Sequence, residues 1–178
     1  AYDLNSGELV WFWDPVAPNT KPALTEEGQL YQRATTNVWS IMSFDPELNL
    51  VYLPTGNTSP DYFGGLRNGS DYYSSSVVAL HAENGEVAWH FQTVHHDIWD
   101  YDVPSQPTLY DVTMGGKNVK ALAQTTKMGY IFLLNRETGE PLFPVEERPV
   151  PQGAVPGDFT SPTQPFPTKT PTLLDTNF

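Results

Sequence analysis

One hairpin motif recurs along this chain, and its clearest copy is Val78-Ala-Leu-His-Ala-Glu-Asn-Gly-Glu-Val-Ala-Trp89. An apolar strand enters, the Asn84-Gly85 turn reverses the chain, and a second strand leaves toward the tryptophan. Two other stretches have the same design, and the three copies align on Gly7, Gly85 and Gly139. An aromatic residue stands four positions after each glycine, at Trp11, Trp89 and Phe143. A hairpin repeated in this way predicts an internally repeated all-β array.

Further strand candidates precede each of the last two hairpins. They flank turns at Asp45-Pro46 and Gly115-Gly116 and comprise residues 38–44, 48–54, 107–113 and 119–125. Each set then has four short strands in series, which is the arrangement of a β-propeller blade. The prediction is a propeller fragment of about two and a half four-stranded antiparallel blades. Such a fragment cannot close a ring, so we expect a piece of a longer chain that self-associates through exposed strand edges.

This reading divides the chain into six segments. We predict the last two strands of a truncated blade in 1–13, a connecting loop in 14–37, a full blade in 38–93, an active-site loop in 94–106, a full blade in 107–146 and a proline-rich extended tail in 147–178. Within the connecting loop, Thr25-Glu-Glu is able to cap a short helix running through Gln32.

Composition excludes several classes of function. The 17 prolines and 13 glycines among 178 residues suit short strands and turns better than helices. A net charge of −12 argues against a nucleic-acid partner, because phosphate binding needs clustered lysine and arginine. The absence of cysteine excludes disulfides and cysteine-based zinc sites. No apolar run approaches the ~20 residues of a membrane span.

The stretch richest in chemically active side chains is Thr93-Val-His-His-Asp-Ile-Trp-Asp-Tyr-Asp-Val-Pro104. Two histidines, three aspartates and two large aromatic residues follow a strand there, and polar loops at strand ends often carry binding and catalytic residues. The alternative is a structural corner whose aspartates cap backbone N–H groups. Adjacent side chains of an extended chain point to opposite sides, so His95 and His96 suit hydrogen bonding better than chelation of one metal.

Three motifs resemble the quinoprotein dehydrogenases, which use pyrroloquinoline quinone. They are Asn37-Val-Trp-Ser40, Asp45-Pro-Glu-Leu-Asn-Leu-Val-Tyr-Leu-Pro-Thr-Gly-Asn57 and Trp89-His-Phe-Gln-Thr-Val-His-His-Asp-Ile-Trp-Asp100. Together with Glu146-Glu-Arg-Pro-Val-Pro-Gln-Gly153, they are most similar to the membrane-bound glucose dehydrogenase and quinate/shikimate dehydrogenase branch. The resemblance implies an eight-bladed propeller with the cofactor on its axis.

The same resemblance implies a function. The full protein is expected to oxidise a hydroxyl of a sugar or cyclic polyol by hydride transfer to the quinone, with electrons passing to membrane ubiquinone. It is expected at the periplasmic face of the bacterial inner membrane, anchored by a segment absent from this sequence. The alternative is a catalytically silent propeller that serves as a binding platform, because fold does not determine function.

Four residues match functional positions of that family. The resemblance implies that Trp39 forms the floor under the quinone, that Asn57 is an oxygen ligand of Ca²⁺ or Mg²⁺ with Ser59 nearby, that Asp100 is the general base, and that Lys127 bonds the quinone oxygens. Taken alone, these residues also fit a core tryptophan, a turn asparagine and a surface lysine. The acidic metal ligand of the family has no match in this sequence, so the isolated fragment is expected to be inactive.

Overall fold

Antiparallel strands make up the regular structure of this chain. The computed structural model describes residues 1–18, 36–67 and 69–174. These residues contain strands and turns but no helix, and nothing in them is long and apolar enough to cross a membrane as a helix. The prediction of an all-β fold is therefore confirmed. The helix predicted at Thr25–Gln32 lies outside the described residues.

The first sheet has four antiparallel strands in sequence order. They are β1 (Ser43–Asp45), β2 (Leu50–Pro54), β3 (Ser76–His81) and β4 (Val87–Gln92). All four fall inside the segment for which the sequence predicts one blade. The turn between β3 and β4 is the clearest copy of the hairpin, and Gly85 adopts a φ of 75° there, a left-handed conformation that favours glycine.

The second sheet has three antiparallel strands rather than the expected four. They are β5 (Thr108–Met114), β6 (Lys117–Thr125) and β7 (Ile131–Asn135). Where the fourth strand was expected, the chain makes a single bridge between Leu134 and Pro141. The bridge is completed by bonds from the Asn135 N–H to the Glu140 carbonyl and from the Leu142 N–H to the Leu133 carbonyl, both 2.8 Å, so Pro141 needs no N–H at this position. The first hairpin is reduced in the same way, to one bridge between Tyr2 and Leu9.

A third, two-stranded sheet lies in the region interpreted as an extended tail. It pairs β8 (Val145–Pro149) with β9 (Thr163–Pro167) in antiparallel register. The boundary placed at residue 146 therefore cuts through a strand, and the interpretation of 147–178 as a tail missed the hairpin. Proline concealed it, because proline is unusual inside strands. A two-stranded sheet has only edge strands, where proline is tolerated.

The core lies between successive sheets. One buried cluster joins the first two sheets and contains Leu50, Tyr52, Val77, Ala79, Trp89, Leu122, Phe132 and Leu134. A second cluster joins the first sheet to the N-terminal hairpin and contains Leu53, Tyr73, Val78 and Leu80, with Trp11 and Trp13 packed against it. Neighbouring residues of β3 belong to different clusters because their side chains alternate between the two faces.

The glycine of one hairpin contacts the tryptophan of the preceding hairpin. Trp89 lies over Gly139, so closely that a Cβ there would be 2.6 Å from the indole, and its Nε1 donates a hydrogen bond of 3.1 Å to the carbonyl of Arg136. Trp11 packs over Gly85 in the same way and donates a 3.0 Å hydrogen bond to the carbonyl of Ala82. The repeated glycine therefore makes the turn and also leaves room for the preceding copy's tryptophan.

This contact can be tested with a matched pair of glycines. Gly139 and Gly116 share a φ of 77°, but only Gly139 faces an indole, since nothing lies within 4 Å of a Cβ at Gly116. Alanine at either position would adopt the same unfavourable left-handed backbone conformation, which costs about 1–2 kcal/mol. Gly139→Ala must also displace Trp89, and overpacking of this kind adds about 1–3 kcal/mol. We expect a lower urea midpoint for Gly139→Ala than for Gly116→Ala in the full-length protein. Equal midpoints would contradict the stacking.

Candidate active site

The loop after β4 is organised around the buried carboxylate of Asp97. One oxygen accepts a hydrogen bond from the backbone N–H of Trp99 at 2.9 Å, and the other accepts from the N–H of Tyr101 at 2.7 Å and from Ser75 Oγ at 2.7 Å. Burial raises the pKa of Asp97, while these donors oppose the rise. Asp100 lies between the two held amides with a φ of 61°, in the left-handed region that few residues other than glycine adopt.

Lys127, in the turn after β6, bonds the same loop. Its Nζ donates to the backbone carbonyl of Asp100 at 2.8 Å and to Asp102 Oδ2 at 2.8 Å, and it lies 3.4 Å from Asp100 Oδ2. One ammonium group therefore serves two carboxylates. The structure brings Asp100 and Lys127, two of the four residues named from the sequence, into direct contact.

Asp102 connects this pair to the other two residues. Its Oδ1 accepts a hydrogen bond from the backbone N–H of Asn57. The same oxygen borders Gly56, where an added Cβ would lie 2.8 Å from Asp102 Oδ1 and 3.3 Å from Trp39 Cδ1. Asn57 and Lys127 thus bond Asp102, and Trp39 lies close to it beside Gly56, although sequence reasoning assigned no role to Asp102. Its two-residue spacing from Asp100 was the available signal.

Trp39 and Asn57 differ in accessibility. The indole of Trp39 is 57% exposed and presents an open flat surface. Asn57 is buried, its Nδ2 donates to the carbonyl of Asp61 at 2.9 Å, and its Oδ1 accepts a hydrogen bond from Ser74 at 3.2 Å. Ser59 donates to the carboxylate of Asp61 at 3.2 Å. The amide oxygen of Asn57 keeps one lone pair beyond its bond to Ser74.

The described residues do not assemble a metal centre by themselves. Among them, no group of three or more histidine, aspartate and glutamate side chains is placed to hold an ion. Ca²⁺ takes six to eight oxygen ligands and Mg²⁺ takes six. Asn57 offers one neutral oxygen, so a metal here would need most of its ligands from elsewhere.

The charges around Asp100 perturb its ionisation. Burial and repulsion from the Asp102 carboxylate raise the pKa of Asp100, and Lys127 only partly offsets them. Burial lowers the pKa of Lys127, but its bonds to Asp102 and Asp100 outweigh that effect and leave the pKa raised. A carboxylate with a raised pKa beside a firmly charged ammonium is a better proton acceptor than an ordinary exposed aspartate.

His96 and the two carboxylates that its ring contacts, Asp71 and Asp158, form a group that we call the histidine clasp. His96 Nδ1 lies 3.0 Å from Asp71 Oδ2 and His96 Nε2 lies 2.8 Å from Asp158 Oδ1, so each ring nitrogen faces a carboxylate. The ring stacks on Phe159 with centroids 3.7 Å apart. Gly64 donates its N–H to the second oxygen of Asp158 at 2.8 Å. The clasp therefore ties together the loop that carries Asn57, the active-site loop and the β8–β9 connection.

His95 attaches the β8–β9 hairpin to the same loop. The Gln164 side chain accepts from the His95 N–H at 2.8 Å and donates to the His95 carbonyl at 2.7 Å. The His95 ring lies 3.0 Å from a carboxylate oxygen of Glu147 and 2.7 Å from Gln92 Oε1. Both histidines therefore make hydrogen bonds, the role preferred for them over chelation of one metal.

An apolar pocket of ≈ 400 Å³ lies beside these polar groups. Trp99 and Tyr101, which flank Asp100, line it with their rings stacked at 6.0 Å between centroids. The opposite walls come from the segment after Lys127 and from the β8–β9 hairpin, through Met128, Tyr130, Val150, Pro151 and Phe166. The loop that carries Asp100 therefore has a polar side and an apolar side.

Comparison with known proteins identifies the family. Residues 1–177 match the family described as "PQQ: Glucose/ethanol/alcohol dehydrogenase, beta-propeller domain". The chain belongs to this family of quinoprotein dehydrogenases. The resemblance noted in the sequence is confirmed, and the number of blades in the whole ring stays a prediction.

Individual quinoproteins cover most of the chain. Quinoprotein glucose dehydrogenase of Escherichia coli (strain K12) is 46% identical over 93% of this chain and 21% of its own length. Quinate/shikimate dehydrogenase (quinone) of Acinetobacter baylyi is 43% identical over 93% of this chain and 20% of its own length. The solved quinohemoprotein alcohol dehydrogenase of Comamonas testosteroni is 28% identical with a TM-score of 0.65, covering 94% of this chain and 27% of that one. The chain thus spans about a fifth of the length of the curated relatives it matches.

The histidine clasp yields a stability prediction. Glutamine has one side-chain nitrogen where the imidazole ring has two, so at position 96 it can contact only one of the two carboxylates, and the Asp158 side chain is only 1% exposed. Asp158 keeps its bonds from the N–H groups of Gly64 and Phe159, so the loss is one hydrogen bond to a charged group, about 1.5–3 kcal/mol. We expect His96→Gln to lower the urea midpoint of the full-length protein. His81→Gln is the control, because the His81 ring makes no hydrogen bond to the described residues; equal midpoints would contradict the clasp.

Proposed function

We propose that this chain supplies part of the active site of a quinoprotein dehydrogenase that oxidises a hydroxyl of a sugar or cyclic polyol. The observation that carries the proposal is the convergence of Trp39, Asn57, Asp100 and Lys127 around Asp102. These residues come from four separate segments of the chain. Two carboxylates, an ammonium group and an exposed indole lie at one place, and these are the groups that the proposed reaction uses.

The residues fit a planar anionic cofactor. The exposed indole of Trp39 offers a flat face for stacking, a contact that contributes about 0.5–1.5 kcal/mol beyond area burial. Lys127 Nζ supplies a cation for the oxygens of the group. When bound, pyrroloquinoline quinone supplies the oxidising power, by accepting the electrons removed from the alcohol. Gly56 keeps the space beside Trp39 open, since a Cβ there would crowd both the indole and Asp102.

Asp100 is the proposed general base, and its surroundings prepare it for that role. Burial and the neighbouring Asp102 raise its pKa, which favours acceptance of the hydroxyl proton. Lys127 holds the Asp100 carbonyl and lies near the Asp100 carboxylate, so it limits the directions in which that side chain can turn. Asp102 keeps Lys127 charged and in place. In this arrangement Asp100 moves the proton, and Asp102 orients the group beside it.

The remaining parts of the proposal rest on the family. We propose Asn57 Oδ1 as one ligand of Ca²⁺ or Mg²⁺, with the other ligands outside the described residues. Relatives of similar identity are named for glucose and for quinate/shikimate, and this supports the broad class of sugars and cyclic polyols without selecting a member. Transfer of electrons to ubiquinone and a periplasmic location are proposed from the resemblance to the membrane-bound glucose dehydrogenase branch.

Turnover in the full-length protein tests the proposed base. Asp100→Asn keeps the shape of the side chain but cannot accept a proton near neutral pH. Loss of a general base typically lowers the rate about 10²–10⁴-fold, so we expect kcat to fall by that factor while the dissociation constant of the quinone changes little. Lys127→Ala should weaken quinone binding as well as turnover, because it removes a direct contact. Substrate-dependent dye reduction and titration of the apoprotein with the quinone measure both quantities.

The exposed Asp3 in the first hairpin gives the control for this experiment. Asp3→Asn has the same change of charge and should leave kcat and quinone binding unchanged. An Asp100→Asn variant with parental turnover would refute the proposed base and leave the binding platform as the better account of the fold.

Self-association of the isolated 178-residue chain is also expected. Within the described residues β1 is an edge strand; Ile41 and Met42 just before it and Phe44 within it are 51–68% exposed. Exposed apolar edge strands are templates for pairing with another chain. Light scattering should show a mass that rises with concentration, and Phe44→Ser should reduce it. Leu66→Ser, at an exposed loop position, should not; a monomer at all concentrations would contradict the expectation.

A further inference from the structure

Asp97 lies three residues before the proposed base in the same loop, and it has no role in the chemistry described so far. We infer that Asp97 is a positioning residue that holds Asp100 in its working orientation, an inference that rests on the proposed function. Asp97 is 0% exposed and its two oxygens already accept three hydrogen bonds. It is therefore unsuited to take a proton from a substrate and well suited to fix the backbone around it.

The geometry of the turn shows how this works. The N–H groups that Asp97 accepts from belong to Trp99 and Tyr101, the residues on either side of Asp100. Asp100 is thereby held with a φ of 61°, a strained conformation for a residue other than glycine. Without these two bonds, relaxation toward the right-handed region would relieve that strain. The carboxylate of Asp100 would then turn relative to Lys127 and Asp102.

Asp97 is itself anchored to the segment that carries Asn57. Ser75 Oγ donates to Asp97, and the Ser75 N–H donates to the carbonyl of Gly56 at 3.1 Å. The Ser75 carbonyl accepts from the Thr93 N–H at 2.8 Å and from Thr93 Oγ1 at 2.7 Å. Ser75 thus links the turn that contains Asp100 to Gly56, the residue before Asn57. The segments that carry Asp100 and Asn57 are therefore joined by buried hydrogen bonds through Ser75.

A carboxylate is the side chain this position requires. Three donors converge on Asp97, and an ionised carboxylate offers only acceptors. The positive charge of Arg67, which is 3% exposed, also favours the ionised form. Asparagine offers one acceptor oxygen and one NH₂ group. In Asp97→Asn the NH₂ group must face at least one donor, so at least one tie to the turn is lost.

A double-mutant cycle on kcat in the full-length, quinone-loaded enzyme tests the inference. The variants are Asp97→Asn, Asp100→Asn and the double substitution. A misplacement of about 1 Å can lower a rate 10²-fold, so we expect Asp97→Asn to lower kcat about 10–100-fold in the parent. In the Asp100→Asn background it should lower kcat no further, because residues that act as a unit are not additive. A purely structural role would lower kcat by the same factor in both backgrounds.

Two measurements independent of activity complete the test. Backbone amide exchange at Trp99 and Tyr101 should accelerate in Asp97→Asn, while the dissociation constant of the quinone for the apoprotein should stay near the parent value. Ser75→Ala removes one of the three bonds and is the milder variant if Asp97→Asn does not fold. Because the other two bonds remain, kcat should fall by a smaller factor than the ~10–100-fold expected for Asp97→Asn in the parent background, and it should remain unchanged in Asp100→Asn.

The outcomes separate this inference from the proposed function. An Asp100→Asn variant with parental turnover refutes the proposed function, and the inference with it. A slow Asp100→Asn variant, combined with equal losses from Asp97→Asn in both backgrounds, overturns the inference alone. Faster amide exchange without any change in kcat also overturns it. Only a loss confined to the background that contains Asp100 supports Asp97 as its positioning residue.

Discussion

The contact between a tryptophan and the next hairpin's glycine is the constraint on which the rest of this structure depends. Trp89 covers Gly139 and Trp11 covers Gly85, and each indole N–H finds a carbonyl in the turn that it covers. Each contact therefore fixes both the distance and the orientation of two successive units. Arg136 strengthens the second interface, because its side chain bonds Asp45 at 2.6 Å and Asp111 at 2.7 Å while its carbonyl accepts from Trp89.

The candidate active-site cluster depends on this fixed distance and orientation of the units. Asn57 follows β2 of the first sheet, Lys127 follows β6 of the second, and Asp100 and Asp102 lie on the loop between the sheets. Side chains from these segments can meet within 3 Å only if the two sheets keep a constant relation. The shared ammonium of Lys127 would otherwise face two carboxylates at uncontrolled distances. Packing far from the cluster thereby determines its electrostatics.

The parts of the structure that could be predicted are those in which local pattern and tertiary packing agree. The hairpin with Asn84-Gly85 has turn chemistry and alternation that both specify two strands, so β3 and β4 were identified from the sequence. The β8–β9 hairpin was not, because its prolines contradict the usual strand signal and its attachment to His95 is a tertiary contact that no local pattern reveals. The fourth strand of the second unit shows the opposite case, since the pattern was present but the pairing is limited to one bridge, between Leu134 and Pro141.

The candidate residues show the same division. Trp39, Asn57 and Asp100 could be named because they lie in the family motifs, and Lys127 because it matches a functional position of the family. Asp102 and Asp97 also belong to this cluster, but nothing in a linear motif distinguishes a carboxylate that acts in chemistry from one that holds a turn. That distinction appears only when the donors around each carboxylate are known. Three donors surround Asp97, whereas Lys127 and one backbone amide serve Asp102.

The attachment of the β8–β9 hairpin has a consequence for divergence within the family. Gln164 bonds both the N–H and the carbonyl of His95, so a single side chain imitates the paired donor and acceptor of a neighbouring strand. These two bonds use only the backbone of His95, while Asp158 and Phe159 hold the His96 side chain. Val150 and Pro151, which line the pocket, make no hydrogen bond to the active-site loop, so they can change while the hairpin stays in place. A quinoprotein can thereby reshape one wall of the pocket beside the proposed base without disturbing that residue.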